Sequence, residues 1–273
     1  MSVTALVAAA ALLVAAPSPQ PARFDAKRAF AFLREQVRLG PRPAGSPASR
    51  RLAVLLVQRV PNARVLPVEG GLQDVVGSIP GRDPSRTILL GAHYDTKDIP
   101  GFVGANDGAS GVAVLVELAR MLRPRTMAPT VVLAFFDGEE TPRGVPDGQI
   151  LTAGLRGSRA AVALLPRPEA MILLDMVATP GLWVPREVGS DPALWSRLRT
   201  AARASGVGRA FPPRTTGPIL DDHVPFAQAG IPAVDVIDFD FPCWHRRCDD
   251  LAHVSRASLG AVGVTLLRFL EDS

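Results

Sequence analysis

The chain has 273 residues, of which 47% are hydrophobic and 21% charged, a composition typical of a globular protein with a sizeable core and not of a disordered chain. The net charge is +4, but the basic residues are scattered, and their longest groups are the pairs Arg50–Arg51 and Arg246–Arg247. Because a nucleic-acid footprint needs a stripe of several phosphate contacts, this distribution argues against nucleic acid as a partner.

Residues 1–23 predict a signal peptide or an N-terminal anchor. An apolar run from Val3 to Ala16 ends in small residues and leads into a Pro/Ser/Gln spacer. No Lys or Arg precedes the run, and it is shorter than the roughly 20 residues of a membrane span. We expect an extracytoplasmic protein (secreted, periplasmic or anchored by its N-terminus), with an uncleaved anchor or a misassigned start as alternatives. No other segment is apolar enough to cross a bilayer.

The remaining residues, 24–273, predict one domain of α/β class. Apolar residues at helical spacing predict helices over Phe24–Leu39, Ser46–Val60, Ser110–Leu122, Pro192–Ser205 and Ser255–Leu270. The segment Asn62–Ile79 predicts two short strands, followed by a turn at Gly81–Pro84. Apolar runs predict buried strands at Thr87–Gly91, Thr130–Phe136, Ala170–Leu174 and Pro232–Ile237. Such alternation predicts three α/β/α layers around a central, mostly parallel (mixed) sheet.

Polar residues with metal-ligand chemistry follow the predicted strands. Just beyond strand ends, or at the helix starts after them, lie His93, Asp107, Glu139, Glu140 and Asp175. In open α/β sheets that edge is where ligands bind. Histidine nitrogen and carboxylate oxygen are donors that zinc accepts, so the set predicts one or two zinc ions.

Each of these residues also has an ordinary structural interpretation. A histidine after a strand is commonly a loop histidine, Asp107 before GASG is suited to capping a helix, and Glu139-Glu140 is suited to an exposed loop. Asp175 is harder to explain in this way, because a buried carboxylate needs a partner. The zinc prediction depends on the coincidence of all five.

A second histidine, His245, lies between Cys243 and Cys248, the two cysteines of the chain. If the protein is exported, we expect a small disulfide loop around this histidine; the alternative is a pair of free thiols.

From about His93 to the C-terminus the chain resembles the M28 zinc peptidases and the related glutaminyl cyclases, which implies a zinc aminopeptidase-like fold. The resemblance implies five metal ligands: His93, Asp107, Glu140, Asp175 and His245. It also implies that Asp107 bridges two metal positions, that Glu139 is the general acid/base, and that Asp95 supports His93 from behind.

Two subfamilies compete for this resemblance. The segments HYDTK, FVGAND, FFDGEE, LLDM and FPCWH are similar to glutaminyl cyclases, in which residues matching Asp221, Asp175 and Trp244 line the pocket beside one zinc. Phe241 and Trp244 are accordingly predicted to contact substrate, with ordinary packing as the alternative. In contrast, GASG after Asp107 resembles the aminopeptidases, and TPRGVPDG stands where animal cyclases carry a tryptophan.

The resemblance therefore implies a zinc enzyme that acts on peptide N-termini. We predict cyclisation of N-terminal glutamine with loss of ammonia, in which Glu139 moves the proton. The alternative is an aminopeptidase that hydrolyses the first peptide bond, and a remote alternative is a non-catalytic binding domain. No HExxH helix and no GxSxG nucleophile motif is present in the sequence.

Overall fold

A computed structural model describes residues 24–273, so the predicted leader lies outside the described residues. The first half of the chain forms α1 (Ala26–Arg38), α2 (Pro47–Arg59), β1 (Arg64–Val68), β2 (Leu72–Ile79), β3 (Asp83–His93), α3 (Ala109–Met121) and β4 (Pro129–Phe136). The second half forms α4 (Ile150–Ala153), α5 (Arg156–Leu164), β5 (Ala170–Asp175), β6 (Arg186–Glu187), α6 (Pro192–Ala204), β7 (Thr215–Thr216), α7 (His223–Gln228), β8 (Ala233–Ile237) and α8 (Arg256–Glu271).

The central sheet has six strands in the order β1-β2-β4-β3-β5-β8. The strands β4, β3, β5 and β8 run parallel to one another, whereas β2 pairs antiparallel with β4, and β1 pairs antiparallel with β2. The short strands β6 and β7 form a separate pair. The predicted mixed, mostly parallel sheet is thereby confirmed.

Successive residues of each strand point to opposite faces of the sheet and pack into two different cores. In β3, Ile88, Leu90 and Ala92 pack into the larger core, which α1, α2, α3, α6 and α8 cover. Leu89 packs into the smaller core, which α5 and α7 cover. Because both faces are covered, the buried parts of the central strands are mostly apolar, as the sequence pattern indicates.

Several helices begin at side-chain caps that the sequence supplies. Ser46 accepts a hydrogen bond from Ser49 N at the start of α2, and Asp191 accepts one from Leu194 N at the start of α6. These caps satisfy backbone N–H groups that have no partner within the helix. Both starts lie within one residue of the predicted ones.

The structure corrects the predicted turn at residues 81–84. Strand β3 already begins at Asp83 and shifts its register against β4 between Asp83 and Thr87. This irregularity accommodates Pro84, which has no N–H to donate to a regular ladder.

The short helices α4, α5 and α7 and the pair β6–β7 were not predicted. Within residues 24–273, no helix is both long enough and apolar enough to span a membrane.

Candidate metal centre and cavity

The carboxyl ends of the parallel strands bring together the predicted site residues. His93 is the last residue of β3 and Asp175 the last residue of β5. Glu139 and Glu140 follow β4, and Asp107 lies two residues before α3. All five are buried. Four segments that are far apart in sequence thus converge at one edge of the sheet.

These residues form two groups of possible metal ligands that share Asp107. The first group is His93, Asp107 and Asp175, and the second is Asp107, Glu140 and His245; within each group the ligand atoms lie within 4.8 Å of one another. Asp107 Oδ1 lies 3.3 Å from His93 Nε2, whereas Asp107 Oδ2 lies 3.5 Å from His245 Nε2. The two oxygens of one carboxylate therefore face different groups.

The turn after Asp107 requires a glycine. Gly108 has φ +90°, and a Cβ on it would lie 2.4 Å from Asp95 O and 3.2 Å from His93 Cε1. Glycine accepts this backbone conformation without the cost that other residues incur. It lets α3 begin directly behind Asp107 and brings the loop against His93.

Burial and mutual repulsion shape the electrostatics of the centre. Burial lowers the pKa of His93, but hydrogen bonds to Asp107, Asp175 and Asp95 outweigh it and raise that pKa well above its usual value. Burial, followed by the charge of Glu140, raises the pKa of Glu139 well above its usual value. Burial also raises the pKa of Asp175. So many buried carboxylates together need protons or a cation.

Asp95 lies near Nδ1 of His93, the ring nitrogen that faces away from Asp107 and Asp175. Its Oδ1 lies 3.5 Å from His93 Nδ1 and accepts a 3.3 Å hydrogen bond from Glu139 N. Its Oδ2 accepts a 3.3 Å hydrogen bond from Glu140 N. One carboxylate thus holds the backbone of the Glu139-Glu140 pair and lies close to the first histidine.

His245 reaches the centre from a small disulfide loop. Cys243 and Cys248 are bonded, which confirms the disulfide expectation over free thiols. His245 has φ +52°, and its ring stacks on Trp244 with centroids 4.3 Å apart. Nε2 lies 3.1 Å from Glu140 Oε1. The six-residue loop Cys243–Cys248 thereby carries a possible metal ligand next to an aromatic side chain.

A cavity of about 410 Å³ opens beside the centre. Its polar lining includes Lys97, Glu139, Glu140, Asp147, Asp175, Asp221 and His245, and its apolar lining includes Ile150, Trp183, Ile219, Phe239 and Trp244. Burial, and then the charge of Asp175, raises the pKa of Asp221 to about 7. Phe241, which was predicted to contact substrate with ordinary packing as the alternative, is buried against Met176, Ile237 and Cys243 and is not among the lining residues of this cavity.

Several residues that support the centre were not singled out from the sequence. Asp249 accepts hydrogen bonds from Asn106 N at 2.7 Å and from Asp107 N at 3.0 Å. Arg42 is fully buried and donates to Val103 O at 2.9 Å and Gly104 O at 3.2 Å, fixing the loop that leads to Asp107. Burial lowers the pKa of Arg42 to about 10, so the guanidinium stays charged at neutral pH. Asp249 follows His245 by four residues, and this short separation is the sequence feature that could have indicated its place near the centre.

The donor set fits zinc. Imidazole nitrogen and carboxylate oxygen are ligands that zinc prefers, and each group offers three, leaving room for water or substrate. Asp107 Oδ2 is buried and, within residues 24–273, has no hydrogen-bond partner. A buried carboxylate oxygen without a donor is destabilising unless a cation or proton satisfies it.

This combination is typical of α/β proteins that bind metal at the carboxyl edge of a sheet. The profile of Peptidase family M28 matches residues 74–270, and the chain belongs to this family.

The chain is similar to proteins named after two different activities, cyclotransferase and aminopeptidase. It is 26% identical over 219 residues to the mouse glutaminyl-peptide cyclotransferase-like protein, covering 69% of this chain and 57% of that protein. It is 31% identical over 192 residues to aminopeptidase YwaD of Bacillus subtilis (strain 168), covering 64% of this chain and 38% of that protein. The chain thus spans less than two thirds of either relative. The crystal structure of Tannerella forsythia glutaminyl cyclase superposes with a TM-score of 0.79 at 31% identity, covering 92% of this chain and 100% of that one.

Proposed function

We propose that the protein is a zinc-dependent enzyme that cyclises N-terminal glutamine of peptides to pyroglutamate with release of ammonia. The observation that carries this proposal is the cavity, whose lining combines the acids Glu139, Asp175 and Asp221 with the aromatic ring of Trp244. The similarity to proteins named glutaminyl cyclases supports it. The ligands in this proposal are His93, Asp107, Glu140, Asp175 and His245.

A glutamine side chain is short and ends in a neutral amide, and the cavity matches both properties. Trp244 and Ile219 offer apolar surface to the methylene groups, and the buried acids offer hydrogen-bond partners to the amide. When bound, zinc supplies a Lewis acid that polarises a carbonyl oxygen. The protein residues must then orient the α-amine and move one proton.

Glu139 is the residue we assign to the proton. It lines the cavity, and Asp95 fixes its backbone. Glu139 takes a proton from the α-amine as the amine nitrogen bonds to the side-chain carbonyl carbon. The bond from that carbon to the amide nitrogen then breaks, and Glu139 returns the proton to the departing ammonia. Asp221 has a pKa raised to about 7 by burial, so near neutral pH a fraction of it is protonated and can donate a hydrogen bond within the cavity.

Hydrolysis of the first peptide bond is the second candidate function, and the sharing of Asp107 favours it. A carboxylate whose two oxygens face two ligand groups suits a pair of metal ions, the arrangement of many aminopeptidases. In that case Glu139 removes a proton from an attacking water.

One experiment separates the two candidates. Zinc-loaded protein is incubated with two peptides that differ only at the first residue, Gln or Leu, and the products are analysed by mass spectrometry. We expect the Gln peptide to lose ammonia and the Leu peptide to stay intact. Loss of the first residue from the Leu peptide would favour the aminopeptidase, and no product from either peptide would contradict both.

We further propose that the protein works outside the cytoplasm. The bonded Cys243–Cys248 pair supports this, because disulfides persist mainly in oxidising compartments. Detection of the protein in the extracytoplasmic fraction of cells that express the full chain tests the proposal.

A further inference from the structure

The two ring nitrogens of His245 face different carboxylates. Nε2 faces the second ligand group, 3.1 Å from Glu140 Oε1 and 3.5 Å from Asp107 Oδ2. Nδ1 faces away from it and lies 3.1 Å from Asp147 Oδ2. A histidine that binds metal through one nitrogen usually donates the proton on the other to a carboxylate, carbonyl or water.

Asp147 is itself held in place by Lys97. Lys97 Nζ donates to Asp147 Oδ1 and to Thr141 Oγ1, and it lies 3.3 Å from Glu140 Oε2. The side chain of Lys97 is only 12% exposed, so this cation is largely shielded from water. Lys97 and Asp147 thus form a chain of contacts from Glu140 to His245. Glu140 and His245 both belong to the second group.

A carboxylate also lies near the second ring nitrogen of the other histidine, at a longer distance. His93 Nδ1 lies 3.5 Å from Asp95 Oδ1, and His93 Nε2 faces the first ligand group. Asp95 comes from the loop directly after β3, whereas Asp147 comes from the segment TPRGVPDG, residues 141–148. That segment therefore reaches the second group although no predicted ligand or catalytic residue belongs to it.

We propose that Asp147 is a positioning residue of the metal centre, which holds His245 in the tautomer and orientation that present Nε2 to a metal ion, with Lys97 fixing Asp147 in turn. This inference rests on the proposed metal centre. The Nδ1–H···Oδ2 hydrogen bond leaves the lone pair of Nε2 free for the ion and increases the basicity of the ring. Lys97 keeps the carboxylate directed at His245 and offsets its charge near Glu140.

The test uses zinc affinity of the full chain, measured by competition with a chromophoric chelator. The variant His245→Ala identifies the zinc ion of the second group, because it should lose that ion. Asp147→Ala should weaken the binding of the same ion by about 10–100-fold. Asp147→Asn keeps an oxygen that accepts from Nδ1–H, so it should recover much of the loss. Asp250→Ala is the matched control, because Asp250 bonds His253 Nδ1 at 2.9 Å and its side chain is 45% exposed, as is that of Asp147. This control should bind zinc like the wild type.

Each outcome has a distinct meaning. Wild-type zinc affinity in Asp147→Ala would overturn the inference while leaving the proposed function intact. Equal losses in Asp147→Ala and Asp147→Asn, together with a lower unfolding temperature of the metal-free proteins, would also overturn it, since they indicate a structural role. A wild-type protein that binds no zinc would overturn the inference and the proposed zinc enzyme together.

Discussion

Glu139 and Glu140 are neighbours in sequence whose carboxylates lie in different surroundings. Glu140 Oε1 lies 3.1 Å from His245 Nε2, whereas Glu139 Oε2 lies 3.9 Å from His93 Nδ1. We expect Glu139→Gln to keep its zinc and its unfolding temperature while kcat falls by about 10²–10⁴-fold, the usual contribution of general acid–base catalysis. Zinc content and turnover of the Gln peptide measure this. The exposed Glu169→Gln serves as control, and wild-type turnover in Glu139→Gln would contradict the mechanism.

Asp107 is the residue on which both ligand groups depend. We expect Asp107→Ala to bind no zinc after dialysis, because Asp107 belongs to both ligand groups and the change removes its carboxylate oxygens from each of them. His245→Ala should lose only the ion of the second group, and Asp175→Ala only that of the first. Zinc per chain, measured by elemental analysis, checks this. Full zinc content in Asp107→Ala would show that its carboxylate is not a ligand.

The sequence predicts the reactive side chains better than those that hold them. His93 and Asp175 end apolar runs, and that position alone assigns them to the edge of the sheet where ligands bind. Asp249 and Arg42 carry no such pattern. Their partners are mainly backbone groups, the N–H of Asp107 and the carbonyl of Gly104, and the approach of those groups is set by tertiary packing.

At the scale of elements, the loop Cys243–Cys248 is a structural unit whose closure we expect to matter for both stability and zinc binding. A chain-entropy estimate for so short a loop is about 2 kcal/mol of stabilisation. Reduction, or the double change Cys243→Ser and Cys248→Ser, should lower stability by that order, weaken zinc binding and raise KM, because Trp244 and His245 are both in the loop.

Urea unfolding and zinc titration, with and without a phosphine reductant that has no thiol to chelate zinc, measure these effects. The double serine variant is the control, since the reductant should leave it unchanged. Identical zinc affinity in the oxidised and reduced wild-type protein would mean that the loop keeps its conformation without the bond.

The elements that the sequence missed share a physical cause. The helices α4 and α7 have four and six residues, too short for helical periodicity to appear. Helix α5 begins directly after Leu155, which has a left-handed φ of +54° that no helix propensity predicts. Hydrogen bonds from Leu155 N to Glu139 O and from Arg156 N to Gly138 O fix this start. Helix α5 therefore starts where the segment after β4 supplies partners for its backbone.

Across the whole molecule, the parallel strands explain why distant residues make one site. Strands β4, β3, β5 and β8 all end at the same edge, so each delivers its following loop to it. Strand order is set by pairing between segments far apart in sequence, and the local pattern predicts the layers but not that order.

Asp137 connects the N-terminal elements to this sheet and gives the whole fold a pH dependence. Its buried carboxyl group accepts hydrogen bonds from Gly45 N, from Ser49 Oγ at 3.1 Å and from Gln73 N at 3.3 Å. Burial, and then the charge of Asp95, raises its pKa from 3.8 to about 7. The folded state therefore binds this proton more tightly than the unfolded state does.

The stability that this proton contributes is fully present below pH 3.8 and is lost as the pH rises to about 7. Asp137→Asn has no such proton to lose, so its free energy of unfolding should rise relative to the wild type by about 4 kcal/mol between pH 4 and pH 8, at about 1.36 kcal/mol per pKa unit. Urea unfolding of the metal-free proteins at a series of pH values measures this difference. Asp272→Asn, at the exposed end of α8, should follow the wild-type profile. Parallel profiles for Asp137→Asn and the wild type would mean that Asp137 stays ionised in the fold, with its three hydrogen bonds outweighing its burial.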